Sequence, residues 1–147
     1  IQQMWMHCLL AKPMRSWCTK PTFMKYLIWV IAEILLVFVL LSLPGSSFTD
    51  RTGWLHILPI DKIVHVMLFG SLAWSFYYFF DKTTIQALKS VRAQAWAMIF
   101  CIVYGIAMEY YQKWYVPSRG FEVKDMLADA AGVIFALPLY QLWKKRQ

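Results

Sequence analysis

Three ionisable side chains, His65, Glu109 and Asp129, lie inside runs of apolar residues rather than between them. An imidazole or a carboxylate can transfer protons in catalysis, and both can hold a polar ligand or a metal ion. Inside a membrane such a group costs about 2.5–3.5 kcal/mol on insertion scales, so several of them are expected to face one another, water or a ligand. These three residues are therefore the candidates for a catalytic role.

Two acidic residues share helix faces with this group. Asp61 precedes His65 by four positions, and Asp125 precedes Asp129 by the same number. Side chains four positions apart point to one side of a helix, so each pair is expected to lie on one face. A structural explanation stays open here, because Asp61 and Asp125 begin apolar runs, where a carboxylate caps free amides and offsets the helix dipole.

The cations Lys62 and Arg119 and the amide of Gln112 complete the candidate site. Arg119 lies in the connection after the third apolar run, and a guanidinium pairs equally well with a carboxylate or a phosphate. In the structural explanation Arg119 forms an ion pair with Glu109 or Asp129 instead. The predicted ligand-binding residues are Asp61, Lys62, His65, Glu109, Gln112, Arg119, Asp125 and Asp129.

The elements that must position these residues follow from the hydropathy pattern. The chain of 147 residues is 60% hydrophobic and only 16% charged, against about 25% charged in an ordinary soluble domain. The apolar residues form runs at about 26–43, 61–80, 93–114 and 125–143. A span needs about 20 residues, and in lipid a single segment satisfies its own backbone amides only as a helix. The sequence therefore predicts an all-α, four-helix transmembrane bundle.

The loop charges predict an orientation. Lysine and arginine are more numerous in the N-terminal segment, the 81–92 loop and the C-terminal segment than in the loops on the other side. The positive-inside rule then places both termini in the cytoplasm. Residues 1–23 are polar and mixed, and we expect a cytoplasmic extension or a misassigned start there, followed by one membrane domain over 24–147.

With this orientation the three ionisable residues reach similar depths below the outer surface. At about 1.5 Å per residue, His65 and Asp129 lie about 6 Å deep and Glu109 about 9 Å deep. They come from three different spans, so they are expected to form one outward-facing polar pocket.

Several strings across these runs resemble the VanZ-like membrane protein family. The family pattern is roughly D-K-x-x-H, then E-x-x-Q, P-x-R and D-x-x-x-N-x-x-G, and it matches in order and spacing over about residues 35–142. This chain has Asp129 where the family often has asparagine. The strings are LLSLPG (40–45), DKIVH (61–65), GIAMEYYQ (105–112), VPSRGF (116–121) and KDMLADAAG (124–132).

The resemblance implies a multi-pass protein of the bacterial plasma (inner) membrane, similar to the protein linked to teicoplanin and lipoglycopeptide resistance. The leading hypothesis is that the pocket binds an anionic lipid or a lipid-linked envelope component through Lys62 and Arg119. The expected partners are membrane lipids, with lipid-linked cell-wall intermediates or lipoglycopeptides as further candidates and no nucleic acid. No cofactor and no metal belong to this hypothesis, and the oligomeric state stays open.

Two alternatives use the same residues. In a membrane-embedded hydrolase or transferase acting on a lipid-linked phosphate or ester, Glu109 or His65 is the general base, and Asp61, His65 and Asp129 hold a divalent metal. Proton or ion movement uses the same buried carboxylates, with Glu33 as the only ionisable residue farther inward.

Overall fold

A computed structural model describes residues 20–43, 60–83, 85–117 and 119–147. These segments contain long helices and one short 3-10 helix, and no strand occurs in them. Residues 1–19, most of the predicted N-terminal extension, lie outside the described ranges. The elements are α1 (Lys20–Leu41), α2 (Ile60–Lys82), the 3-10 helix (Gln86–Lys89), α3 (Val91–Tyr115) and α4 (Val123–Lys144).

The four α-helices are long and apolar enough to cross a membrane. Mean hydropathy is 2.3 over Phe23–Leu41 and 1.4–1.5 over the other three helices. Large apolar side chains such as Trp96, Leu127 and Phe135 point outward and are largely exposed. An apolar exterior suits lipid and not water, and the predicted four-helix transmembrane fold is confirmed.

The closest packing in the bundle joins α2 and α4 through two glycines. A Cβ atom added at Gly132 would lie 2.3 Å from the carbonyl oxygen of Val66 and 3.0 Å from the amide nitrogen of Gly70. Small residues at such a contact let two helix backbones approach closely. Gly132 therefore sets the distance between α2 and α4.

α2 and α4 run parallel, and contacts along their length keep one register. Lys62 contacts Asp125, at a separation of 63 residues, and His65 contacts Asp129, at a separation of 64. At the opposite end Asp81 forms an ion pair with Lys144, again 63 residues apart. The N-terminal ends of α2 and α4 therefore lie together at one end of the bundle.

α1 and α3 place their C-terminal ends at this same end of the bundle. The Tyr104 hydroxyl donates to the Ile34 carbonyl (3.0 Å), and the Gln112 amide donates to the Leu41 carbonyl (2.9 Å). Glu33 of α1 accepts a hydrogen bond of 2.5 Å from Ser71 of α2. These contacts attach α1 to the rest of the bundle.

Candidate functional site

Buried polar side chains are concentrated where α2 and α4 begin and α3 ends. His65 and Glu109 have no exposed surface, and Asp129 is 1% exposed. Gln112 and Asp125 are buried beside them. The sequence predicted that His65, Glu109 and Asp129 would meet from three helices, and the structure brings them together.

His65 and Asp129 form the central contact of this cluster. The Nδ1 atom of His65 lies 2.8 Å from Oδ1 of Asp129, at hydrogen-bonding distance. Gly105 of α3 makes room beside them, because a Cβ atom there would lie 2.8 Å from Oδ2 of Asp129. The Nε2 atom of His65 and Oδ2 of Asp129 have no hydrogen-bond partner.

Glu109 joins the cluster from α3. Its Oε2 accepts a hydrogen bond of 3.1 Å from the backbone amide of Glu122, the residue that precedes α4. A carboxylate at this position offsets the positive end of the α4 dipole. Its other oxygen, Oε1, is buried without a hydrogen-bond partner.

Lys62 and Arg119, the predicted anion partners, are both engaged with carboxylates. The Nζ atom of Lys62 lies 2.6 Å from Oδ1 of Asp125 and 3.1 Å from Oε2 of Glu122. Arg119 Nη2 lies 3.3 Å from Oδ1 of Asp61. The structural explanation from the sequence had paired Arg119 with deeper carboxylates, and this ion pair with Asp61 lies closer to the end of the bundle.

Gln112 has a structural contact in this site. Its amide donates to the carbonyl of Leu41, the last residue of α1. The last carbonyls of a helix have no partner within the helix, so this bond satisfies a buried backbone group. A role for Gln112 in ligand binding stays a prediction.

The groups of potential metal ligands in the structure differ from the group that the sequence predicted for the enzyme alternative. Among the described residues, His65, Glu109 and Asp129 each offer a ligand atom within 4.8 Å of the other two, and so do Asp61, His65 and Asp125. The predicted combination of Asp61, His65 and Asp129 is not one of these groups. Asp61 lies in the first turn of α2, beside Arg119, whereas Glu109 reaches the buried pair from α3.

Two residues of the site were not among those predicted. Glu122 binds Lys62 through its side chain and Glu109 through its backbone amide. Gly105 provides the space for the Asp129 carboxylate. Glu122 gave no signal in the sequence, because glutamate is not a preferred N-cap residue and its side chain makes no capping hydrogen bond.

A four-helix membrane bundle with a buried polar cluster at one end defines the class of this protein. A family model described as VanZ/LLP1 matches residues 5–144. The chain therefore belongs to the VanZ/LLP1 family and is a multi-pass membrane protein.

One similar curated protein is an uncharacterized protein of Schizosaccharomyces pombe. It is 29% identical over 119 residues, which cover 78% of this chain and 67% of that protein. No solved structure matches this chain. A protein similar to this chain therefore occurs in a eukaryote.

Proposed function

We propose that this protein binds the anionic head group of a membrane lipid or of a lipid-linked envelope component at the polar end of its bundle. The observation that carries the proposal is the joint position of the buried cluster and two cations, Lys62 and Arg119, at the ends of the spans. An amphiphile could keep its apolar tail against the helix exterior and place its head group there. The apolar helix exterior and the polar end of the bundle therefore suit the tail and the head group of such a ligand.

Lys62 provides the contact at which a head group would enter. Its bond to Asp125 is short and largely buried, whereas Glu122 is 56% exposed and lies 3.1 Å away. Ion pairs of exposed groups contribute only about 0–1 kcal/mol, so Glu122 is the displaceable partner. A phosphate or carboxylate would replace Glu122 on Lys62 and leave the bond to Asp125 in place.

Copurified lipid tests this proposal. The full chain is extracted with its lipids, and native mass spectrometry compares wild type, Lys62→Ala and Arg119→Lys. We expect both variants to lose bound anionic lipid. Lys62→Ala removes a cation, and in Arg119→Lys the lysine cannot reproduce the forked donor geometry of the guanidinium. Lys82→Ala, at the opposite end of the bundle, is the matched control and should retain it. Equal lipid content in all four proteins would contradict the proposal.

The resemblance to VanZ extends the proposal to a biological role. In this role the protein lies in the bacterial plasma membrane with its head-group site on the outer side. Binding at that site changes susceptibility to teicoplanin. A deletion strain complemented with the wild type or with Lys62→Ala tests it. The wild type should restore growth on teicoplanin, and the variant should not. The envelope lipids of both strains are profiled in parallel, and restored growth with Lys62→Ala would refute the link.

A second candidate, a hydrolase or transferase acting on a lipid-linked phosphate or ester, is favoured by the His65–Asp129 pair. An imidazole oriented by a carboxylate at Nδ1, with Nε2 free, is the arrangement of a general base. Incubation with lipid-linked phosphates should release a soluble product, and Asp129→Asn should slow the release more than Glu33→Gln does. Absence of product with the wild type would remove this candidate.

A further inference from the structure

Two carboxylates and one imidazole are buried together with an incomplete set of partners. His65, Glu109 and Asp129 each keep one polar atom without a hydrogen-bond partner, namely Nε2, Oε1 and Oδ2. Burying a polar atom without a partner costs free energy, and burying a charge does so far more. A single protonated imidazole would balance only one of the two carboxylates.

The remaining acidic residues of the site are balanced differently. Asp125 has its ion pair with Lys62, and Asp61 has one with Arg119. Asp129 contacts the imidazole of His65, and Glu109 contacts a neutral backbone amide. In the deepest part of the cluster, these contacts of Glu109 and Asp129 are therefore with an amide and an imidazole and not with a lysine.

We propose that His65, Glu109 and Asp129 bind one divalent transition-metal ion, with Zn²⁺ as the first candidate. This inference goes beyond head-group binding and does not depend on it. The three residues come from α2, α3 and α4, and their potential ligand atoms lie within 4.8 Å of one another. The ion would give the three polar atoms without a hydrogen-bond partner a common partner.

The ligand types select the class of metal. One imidazole nitrogen and two carboxylate oxygens suit Zn²⁺ or Mn²⁺, whereas Ca²⁺ and Mg²⁺ prefer ligand sets made of oxygen alone. Three protein ligands also leave a coordination position open, as in catalytic zinc sites.

Gly105 leaves space for the Asp129 carboxylate. A Cβ atom there would meet Oδ2, Cβ and Cγ of Asp129 at 2.8–3.3 Å. Substitution of Gly105 by alanine would therefore push the Asp129 carboxylate away without removing any ligand. Gly105→Ala therefore tests whether the position of the Asp129 carboxylate matters while the carboxylate itself is still present.

Metal content of the purified protein tests the proposal. The protein is purified without an affinity tag, stripped with a chelator and titrated with Zn²⁺ or Mn²⁺ in nanodiscs. We expect one ion per chain by elemental mass spectrometry. Affinity should fall at least about tenfold in His65→Ala, Glu109→Gln and Asp129→Asn, and Gly105→Ala should weaken it as well.

Matched controls keep the result specific. Glu33→Gln changes a glutamate of another span, whose partner is Ser71, and Asp81→Asn changes an aspartate at the opposite end of the bundle. Both should retain full metal content. Helical circular dichroism and gel filtration identify variants that fail to fold, and visible absorption of the Co²⁺ form reports the ligands directly.

Two outcomes would overturn the proposal. One is a folded wild-type protein that takes up neither ion at concentrations of about 10 µM. The other is loss of metal in the two control variants equal to the loss in the three ligand variants. Lipid binding is measured on the same samples, so failure of the metal site and failure of the head-group site are distinguished.

Discussion

The carbonyl oxygen of Val66 lies so close to Gly132 that a single methyl group at Gly132 would come within 2.3 Å of it. This contact brings the backbones of α2 and α4 together and thereby sets the distance between His65 and Asp129, one helical turn away. The buried cluster consequently depends on a contact that contains no polar side chain.

Gly132→Ala should destabilise the protein. The added methyl group meets backbone atoms that cannot rotate away, and overpacking of this kind typically costs about 1–3 kcal/mol. Thermal unfolding in detergent measures the loss. Gly120→Ala is the control, because a Cβ atom there meets nothing within 4 Å. Equal stability of the two variants would mean that the helices tolerate a wider spacing.

Gln112→Leu should destabilise the protein without changing head-group binding. Leucine has a similar volume but leaves the Leu41 carbonyl without its donor, at a cost of about 1–3 kcal/mol. Chemical unfolding and lipid content are measured on the same preparation, with Gln141→Leu as an exposed control on α4. Loss of lipid at unchanged stability would assign Gln112 to the ligand site instead.

Lys62 and Asp125 should show energetic coupling in a double-mutant cycle of Lys62→Met and Asp125→Asn. Because Asp125 is buried, removing Lys62 alone leaves a charge without its partner, so the double variant should recover part of the loss. We expect a coupling free energy of about 0.5–3 kcal/mol from unfolding measurements.

The ion pair of Asp81 and Lys144 supplies the comparison for that cycle. It lies at the opposite end of the bundle and is more exposed, so its coupling should be about 0–1 kcal/mol. The coupling free energy of this pair should be smaller than that of Lys62 and Asp125. An equal or larger value would show that burial does not strengthen the pair at the site.

The orientation predicted from the loop charges also awaits measurement. A reporter fused after Gln147 should be active only on the cytoplasmic side, since the basic residues favour that side for both termini. A second fusion within the 116–122 connection should report the opposite side. Reversed signals would place the polar cluster on the cytoplasmic side and change the class of lipid available to it.

The spans and the meeting of three residues were predictable from the sequence. Uninterrupted apolar runs determine the helices, and the depth of His65, Glu109 and Asp129 along their spans follows from the rise per residue. The matched depth of His65 and Asp129 on the parallel helices α2 and α4, and of Glu109 on the antiparallel α3, was enough to bring these side chains to one end of the bundle. The helix bounds differ by a few residues, because a first turn such as that at Lys20 extends beyond the apolar run.

The individual pairings were not predictable. Whether Arg119 contacts Asp61 or a deeper carboxylate depends on the rotation of each helix about its axis and on the path of the connection before α4. Hydropathy constrains neither. The partner of Gln112 on α1 depends in the same way on how α1 packs against α3.

The common register of α2 and α4 also limits how the buried cluster can exchange its contents. A slide of one helix along the other by a single turn, about 5.4 Å, would break the ion pairs at both ends of the pair at once. Glu109 is held to α4 differently, by one hydrogen bond from the amide of Glu122. A swing of the 119–122 segment away from α3 would break that bond and strain the ion pairs of Arg119 with Asp61 and of Glu122 with Lys62, so this segment is fastened to α2 as well as to α3.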